Sequence, residues 1–364
     1  MNIIYIEPYY SGSHKKWIDS YKKYSKHNIK ILSLPGNKWK WRMHGGAISL
    51  ANQFLRLNQK IDLVLCSDFL NLPVFKSICD KKLYNIPIGM YFHENQLSYP
   101  WSPNDNDLKL KRDLHYHFIN YSSSLTANFN LFNSNFHLDS YISSLSKYLK
   151  KMPDHNNFET INTISNKSKV LYIGCELNKF IDYKLKKKND IPLVLWNHRW
   201  EYDKNPELFF NTLIRLKNEG IPFKLAVLGE SFKKYPEIFD QAREELSSNI
   251  VHFGYLNSFS EYAKWLWKAD ILPVTSNQDF FGISIIEATF CNTSPILPKR
   301  LSYPEIFDFD NHRSLFYKND LDFYRVLKRK ILDRTNNKSL SYLTKQYDWN
   351  KIVLNYDKTL SSFK

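Results

Sequence analysis

Short apolar runs alternate with helical patterns along both halves of the chain, and this alternation limits the fold more than any other feature of the sequence. The predicted strands of the first half are 2–6, 29–34, 63–66, 88–92 and 125–129. The predicted helices of the first half are 13–26, 46–58, 108–124 and 134–145. Strands that alternate with helices form βαβ units, and such units build a parallel sheet.

The second half repeats the same alternation. Its predicted strands are 193–196, 223–228, 250–253, 271–274 and, as the last strand, 294–297. Its predicted helices are 206–219, 235–246, 258–269, 283–290, 320–334, 339–347 and 349–360. Two successive α/β halves of similar size predict two Rossmann-like domains whose parallel sheets face a central cleft. Ligands of such sheets bind at the carboxyl ends of the strands.

The length of the chain also favours two domains, because one hydrophobic core rarely serves 364 residues. A polar stretch at 154–169, a short strand at 170–173 and the charged run KLKKKND at 184–190 are interpreted as the interdomain linker. We therefore predict an N-terminal Rossmann-like domain at 1–183 and a C-terminal Rossmann-like domain at 184–345. A final helix at 346–364 can pack back on the N-terminal domain.

The composition describes an ordinary globular protein with an excess of positive charge. The 51 Lys and Arg residues outnumber the 36 Asp and Glu residues, which gives a net charge of +15. Such a charge attracts nucleic acid, anionic membranes or nucleotides, but a compositional bias of the whole proteome explains it equally well. Four widely spaced cysteines have no metal-ligand or CxxC spacing. With no apolar run of about 18 residues and no signal-peptide pattern, we expect a cytoplasmic protein.

Two polar loops follow predicted strands of the first half. The loop EPYYSGSH at 7–14 opens the first helix, where Gly12 allows close backbone approach to a ligand and Ser13 can cap the helix. A plain turn explains the same residues. The second loop places His93 and Glu94 directly after a strand, where folds of this class hold reactive groups. A structural histidine is the equal alternative there.

A third loop, at 197–206, follows the first strand of the second half. It contains Arg199 and Lys204 just before a helix. Arg offers a planar fork and Lys a point charge, so the two cations suit a diphosphate. Salt bridges to Glu201 or Asp203 are the alternative, and the spacing does not decide between them.

The fourth motif, DFFGISIIE at 279–287, is the strongest local signal. Asp279 and Glu287 bracket Gly282, which frees the backbone N–H groups at a helix N-terminus to face a ligand. The helix dipole alone also favours acids at these positions.

These motifs together resemble a known family. An Arg…Lys loop followed by two acids around a glycine is similar to the retaining glycosyltransferases of the GT-B fold, family four. The longer strings IEPYYSGSHKKW, LPGNKWKWR, YFHENQLSYP, HRWEYDKNPE and DFFGISIIEA occur in an order that resembles the tRNA-queuosine mannosyltransferases. The match runs from about residue 3 to the C-terminal helix.

The resemblance implies a role for each matching residue. Arg199 and Lys204 match the diphosphate-binding pair, and Glu287 matches the acid that usually holds the nucleoside ribose. Asp279 matches the acid that contacts the donor sugar, where the larger family usually has Glu. His93 matches a histidine near the transferred sugar. The predicted catalytic residues are therefore His93, Arg199, Lys204 and Asp279.

The resemblance also implies two binding sets. Gly12 matches the N-terminal loop that closes on the donor. The predicted donor-binding residues are Gly12, Ser13, Arg199, Lys204, Phe281, Gly282, Ile283 and Glu287. The predicted acceptor or tRNA-binding residues are His14, Lys38, Lys40, Arg42, Glu94 and Asn95. The string KWKWR at 38–42 alternates charges and aromatic rings, a pattern that a core strand seldom has.

The implied activity is transfer of mannose, with retention, from GDP-mannose to queuosine in the anticodon loop of aspartate tRNA. The donor is expected in the C-terminal domain, and the acceptor in the N-terminal domain and cleft. We expect no cofactor beyond the nucleotide sugar and no metal, because no DxD-type motif stands at a strand end and the Arg199–Lys204 pair can neutralise the leaving diphosphate.

Two alternatives remain at this stage. A glycosyltransferase with a lipid-linked or cell-envelope acceptor needs a membrane-facing amphipathic helix, for which only 39–41 with its basic neighbours could serve. A non-catalytic RNA-binding protein explains the charge, but not an Arg, a Lys and two acids in one set of motifs.

Overall fold

The computed structural model describes residues 1–102, 105–110, 112–185, 189–231, 234–333 and 339–364. It divides into two compact units, one formed by residues 1–174 with 349–364 and the other by residues 175–348. Each unit is built on a six-stranded parallel sheet, as the α/β fold class predicts. Among the described helices, none combines the length and the apolar character that crossing a membrane requires.

The sheet of the first unit has the strand order β2-β1-β3-β4-β5-β6. Its strands are β1 (Asn2–Tyr10), β2 (Asn28–Pro35), β3 (Leu63–Ser67), β4 (Ile88–Phe92), β5 (Phe129–Phe132) and β6 (Ser168–Val170). Its helices are α1 (Gly12–Tyr24), α2 (Trp39–Leu55), α3 (Leu72–Leu83), α4 (Asn106–Lys109), α5 (Asp113–Thr126), α6 (Asn135–Leu149) and α7 (Glu159–Asn166). Every residue of β3, β4 and β5 is buried, which is typical of parallel strands with both faces covered.

The sheet of the second unit has the order β12-β11-β10-β7-β8-β9. Its strands are β7 (Leu193–Trp196), β8 (Lys224–Val227), β9 (Ile250–Phe253), β10 (Ile271–Pro273), β11 (Ser294–Pro298) and β12 (Phe316–Tyr317). Its helices are α8 (Pro206–Asn218), α9 (Ile238–Glu245), α10 (Phe259–Lys268), α11 (Ile283–Phe290), α12 (Tyr303–Ile306), α13 (Asp320–Leu332) and α14 (Ser341–Thr344). The prediction that 294–297 is the last strand is wrong, because β12 pairs with β11 at the edge of the sheet.

The C-terminal helix α15 (Trp349–Ser361) belongs to the first unit. It packs against α1, where Trp17 Nε1 donates to the Tyr356 hydroxyl at 3.0 Å and the Tyr21 hydroxyl donates to Asp357 Oδ1 at 3.1 Å. Buried aromatic rings with satisfied polar tips therefore attach the last helix to the start of the chain.

The boundary between the units lies at 174/175 rather than at 183/184. The 3-10 helix Leu177–Tyr183 packs on α10: the Phe180 carbonyl accepts from Trp267 Nε1 at 2.6 Å, and the Phe180 ring meets Phe259 edge-on at 5.0 Å. The polar stretch 154–169 is not a linker either, because it forms α7 and enters β6, with Ile164 fully buried. Residues 186–188 of the predicted linker run lie outside the described residues.

Two further elements of the first unit differ from the sequence prediction. Helix α3 was not predicted, although Leu72, Phe75, Cys79 and Leu83 form a buried stripe at helical spacing. Its first turn holds a proline, a position where proline is compatible with a helix. Strand β5 begins at residue 129 rather than 125, because α5 continues to residue 126 and includes Leu125, which packs against the core of the unit.

Candidate active site

Glu7 lies near the carboxyl end of β1, in the middle of the first sheet, and is fully buried. Its Oε1 accepts from the Tyr9 backbone N–H at 2.8 Å and from Ser67 Oγ at 2.9 Å. Its Oε2 accepts from the Tyr5 hydroxyl and from His14 Nδ1, both at 3.1 Å. Four donors around two oxygens stabilise a charged carboxylate in this dry position.

The rings of His14 on α1 and His93 after β4 contact each other, with centroids 4.1 Å apart and planes tilted by 35°. Burial lowers the pKa of His14, but the adjacent Glu7 carboxylate, together with Asp68 and Glu94, outweighs burial and raises the pKa to about 9. Burial, with the charge of His14 added, holds the pKa of His93 well below its usual value. At neutral pH the pair is thus one imidazolium and one neutral imidazole.

Asp68 completes this buried cluster, and sequence reasoning missed it. It follows β3 directly, and its Oδ1 accepts from the His93 backbone N–H at 3.0 Å. Burial raises the pKa of Asp68 to about 8, although the charge of His14 acts in the opposite direction. Reactive groups in this fold class lie directly after parallel strands, and Asp68 has this position just as His93 does. The position of Asp68 after an apolar run could therefore have identified it from the sequence.

The two residues after His93 face different surroundings. Glu94 Oε1 accepts from Gln96 Nε2 at 3.0 Å. Asn95 is fully buried, and its Oδ1 accepts from the backbone N–H and the hydroxyl of Ser98 at 2.9 and 3.1 Å. The Asn95 oxygen therefore closes a turn, while the described residues give no partner to its buried amide nitrogen.

The start of α1 differs from the prediction for Ser13. The helix begins at Gly12, whose φ of +51° is in the left-handed region, and the N-cap residue is Ser11. Ser13 is an exposed residue of the first helical turn and does not cap the helix. Gly12 occupies the conformation that suits glycine best, as expected for a tight strand-to-helix loop.

The predicted RNA-binding string KWKWR forms the start of α2, which begins at Trp39 rather than at residue 46 as predicted. Trp39 packs in a buried cluster, whereas the next tryptophan, Trp41, is 63% exposed. Lys40 pairs with Asp105 and Asp107, both at 2.6 Å, so local carboxylates already balance its charge. Arg42 is bound to the preceding loop, where its guanidinium donates to the Pro35 carbonyl and Asn37 Oδ1.

Lys204 is the buried cation of the second unit. Its Nζ donates to the Gln278 carbonyl at 2.8 Å and lies 3.1 Å from Asp203 Oδ2 and 3.6 Å from Asp279 Oδ2. Burial lowers its pKa, but Asp279 and Asp203 together raise the pKa above its ordinary value. Lys204 is thus a permanent cation next to the loop that enters α11. The salt bridge to Asp203, which the sequence offered as an alternative to diphosphate binding, is therefore present. Lys204 forms an ion pair with Asp279 as well.

Arg199 lies in the same loop as Lys204 but in a different environment. Its side chain is 48% exposed, and its Nη2 lies 3.0 Å from Glu201 Oε2. A half-exposed ion pair of this kind contributes little to stability and can exchange its partner for a ligand phosphate.

The two acids of the 279–287 motif each accept a hydrogen bond from a tyrosine. Asp279 Oδ2 accepts from the Tyr303 hydroxyl at 3.1 Å, and Glu287 Oε2 accepts from the Tyr262 hydroxyl at 2.8 Å. Neither tyrosine was predicted, because they come from α12 and α10 and no local pattern links them to the acids. The two tyrosines fix the directions of the carboxylates.

Gly282 precedes α11 with φ +90°, so the helix N-terminus starts from a left-handed residue. Phe281 is almost fully buried and meets Tyr347 edge-on at 5.3 Å, whereas Ile283 is half-buried at the first helical position. The structure therefore brings Lys204, Asp279 and the start of α11 together within the second unit. An anion at this N-terminus would meet backbone N–H groups and the positive end of the helix dipole.

One group among the described residues has the composition of a metal site. Ligand-type atoms of Glu7, His14 and His93 lie within 4.8 Å of one another. The Glu7 oxygens already accept four hydrogen bonds, and one of those donors is His14 Nδ1. In the structure these three side chains are joined in one hydrogen-bonded network, directly between Glu7 and His14 and through Tyr5 to His93.

Solved structures with low sequence identity share the fold of this chain. Sucrose-phosphate synthase from Thermosynechococcus elongatus superimposes with a TM-score of 0.75 at 13% identity, covering 100% of this chain and 99% of that one. Anabaena HepE in complex with UDP superimposes with a TM-score of 0.66 at 14% identity, covering 100% of both chains. These similarities show the GT-B glycosyltransferase fold.

Sequence comparisons are more specific. The family model described as tRNA-queuosine alpha-mannosyltransferase N-terminal matches residues 2–175, and the glycosyl transferases group 1 model matches residues 178–346. A tRNA-queuosine alpha-mannosyltransferase of Drosophila melanogaster is 35% identical over 319 residues, covering 85% of this chain and 82% of that protein. An uncharacterized glycosyltransferase of Methanocaldococcus jannaschii is 25% identical over 59% of this chain and 57% of its own length. The chain therefore belongs to the tRNA-queuosine alpha-mannosyltransferase family of hexosyltransferases.

Proposed function

We propose that this protein transfers mannose from GDP-mannose, with retention, to queuosine in the anticodon loop of aspartate tRNA. The observation that carries the proposal is the 35% identity to the Drosophila tRNA-queuosine alpha-mannosyltransferase. The aligned stretch of 319 residues is longer than either unit, so the relationship includes elements of both. With tRNA as the acceptor, the proposal also locates the reaction in the cytoplasm.

On the donor side, Lys204 and Arg199 bind the diphosphate of GDP-mannose. Lys204 is pre-oriented by Asp203 and Asp279, and its charge is retained at any working pH. Arg199 exchanges its exposed contact with Glu201 for a phosphate oxygen. Because these two cations offset the charge that develops on the leaving diphosphate, we propose that transfer needs no metal ion.

The remaining donor contacts come from α11 and the loop before it. Glu287, held by Tyr262, accepts hydrogen bonds from the ribose hydroxyls, and Asp279, held by Tyr303, contacts the sugar. The N–H groups of Phe281, Gly282 and Ile283 face the donor anion. The proposal also assigns Gly12 and Ser13, at the start of α1, to donor binding.

On the acceptor side, the proposal assigns His93 to the neighbourhood of the transferred sugar and His14, Glu94 and Asn95 to the queuosine. Lys38, Lys40 and Arg42 contact RNA phosphates, a role that the +15 net charge supports. The exposed ring of Trp41 beside them suits stacking on a base of the anticodon loop.

The test is transfer of labelled mannose from GDP-mannose to total tRNA from matched cells with and without queuosine. The proposal expects label only in the queuosine-containing pool, and within it only in aspartate tRNA. Equal labelling of both pools would refute the queuosine assignment. Labelling of an extracted lipid acceptor, with neither tRNA pool labelled, would instead favour a lipid-linked sugar as the acceptor.

A further inference from the structure

The donor and acceptor contacts proposed above give no role to the buried carboxylate of Glu7. Glu7 is fully buried and accepts four hydrogen bonds, yet the proposed function assigns it no contact with a substrate. A carboxylate is rarely kept in the interior of a parallel sheet unless it is paired and hydrogen-bonded. Its partners lead directly to His93.

The first path from Glu7 runs through Tyr5. The Tyr5 hydroxyl has one proton, which it donates to Glu7 Oε2 at 3.1 Å. The same oxygen lies 3.4 Å from His93 Nε2, so it can only accept there, and the proton of that bond must be on His93 Nε2. A neutral imidazole with its proton on Nε2 has an unprotonated Nδ1. No described residue hydrogen-bonds His93 Nδ1.

The second path runs through His14. Glu7 Oε2 accepts from His14 Nδ1, and the His14 ring lies 4.1 Å from that of His93. The groups that face His14 are Glu7 from β1, Asp68 after β3, and His93 and Glu94 after β4. Burial lowers the pKa of His14, but Glu7, with smaller contributions from Asp68 and Glu94, raises it to about 9, and the resulting charge opposes a second charge on His93.

We propose that Glu7 is a positioning residue that acts through Tyr5 and His14. It holds His93 as a neutral imidazole with its proton on Nε2, so that Nδ1 can accept a hydrogen bond from a substrate hydroxyl. The inference deepens the proposed function and rests on it in one respect, that His93 serves the transfer reaction. Glu7 itself touches no substrate.

The structure predicts an unusual result for Glu7→Gln. The glutamine oxygen can keep the bonds from Tyr9 and Ser67, while its NH₂ group donates to the Tyr5 oxygen and to a neutral His14. The Tyr5 proton is then free to point at His93 Nε2, which moves the His93 proton to Nδ1. The substitution therefore preserves shape and hydrogen-bond count but inverts the tautomer of His93.

The experiment combines nitrogen NMR of ¹⁵N-histidine protein with kinetics. We expect wild-type His93, assigned by loss of its signals in His93→Gln, to be neutral with its proton on Nε2 at pH 7.5, and His14 to be charged. In Glu7→Gln we expect the opposite His93 tautomer, a neutral His14, and a kcat lowered by about 10–100-fold, the range found for residues that orient metal-binding histidines. KM for GDP-mannose and GDP binding should change little. Glu159→Gln, an exposed acid on α7, is the matched control.

Two further measurements keep the test decisive. If Glu7→Gln does not fold, Tyr5→Phe removes only the first path, and we expect mixed His93 tautomers with reduced kcat. A wild-type His93 that is charged, or protonated on Nδ1, overturns the inference, as does an unchanged tautomer and kcat in a folded Glu7→Gln. The NMR arm and GDP-mannose hydrolysis without tRNA do not depend on the acceptor. If the wild type fails to modify queuosine, the proposed function is refuted. The role of Glu7 is then still decided by the NMR measurements and by GDP-mannose hydrolysis.

Discussion

Arg199 and Lys204 are proposed to bind the same diphosphate, yet their surroundings predict different consequences when each is replaced. Arg199 is half-exposed beside Glu201, and an exposed ion pair contributes about 0–1 kcal/mol to stability. Removing one preorganised contact to a developing charge costs about 2.7–4 kcal/mol in the transition state, or roughly 10²–10³ in rate. Arg199→Ala should therefore lower kcat by about that factor and leave thermal unfolding almost unchanged.

Lys204→Ala should lose activity and stability together. The substitution takes the cationic partner from Asp203, whose side chain is 1% exposed, and from Asp279. Leaving a buried charge without its partner costs about 3–5 kcal/mol. In a folding unit of 174 residues (348 − 175 + 1), each kcal/mol shifts the unfolding temperature by about 2–4 °C. The expected decrease in Tm is about 6–20 °C.

A double variant separates the two effects. In Lys204→Met/Asp203→Asn both members of the nearest charge pair become neutral, so most of the stability should return. Activity should stay low, because the cation that faces the diphosphate is still missing. Transfer is measured with saturating GDP-mannose and tRNA, and unfolding by calorimetry. Arg199→Ala with more than about a tenth of wild-type kcat, or Lys204→Ala with a wild-type Tm, would contradict this reasoning.

Other expected outcomes test the remaining assignments. Glu287→Gln should weaken GDP binding in calorimetry more than tRNA binding, because a charged acceptor makes hydrogen bonds about twice as strong as a neutral one; an unchanged GDP affinity would leave Glu287 a structural role. Wild-type transfer should persist in EDTA, and complete loss that added Mg²⁺ or Mn²⁺ restores would show a metal requirement. The affinity for tRNA should fall as salt rises. Lys38, Lys40 and Arg42 changed together to Ala should weaken tRNA binding and spare GDP binding. Lys40→Ala alone should weaken tRNA binding less than the triple change, because Asp105 and Asp107 already balance the charge of Lys40.

The sequence alone determined the α/β class, most strands, and the loops that hold the candidate site residues. Strands such as β3 and β4 are short and apolar throughout, and α11 was predicted with the bounds that the structure has. Patterns of this kind are local, because burial on one or two faces imposes a period on neighbouring residues. The four polar loops were found for the same reason, since each directly follows an apolar run.

Only the tertiary structure decided which polar residues meet. The strand order places β1, β3 and β4 side by side, so that residues 7, 68 and 93 reach one buried cluster, and nothing in the local pattern specifies that order. The pairing of Lys40 with Asp105 and Asp107 is likewise a contact between distant segments that composition could not reveal. Charge, capping and periodicity are properties of neighbours in the chain, whereas a protonation state depends on burial and on partners that folding brings together. For this reason the sequence singled out His93, and the structure was needed to identify Glu7.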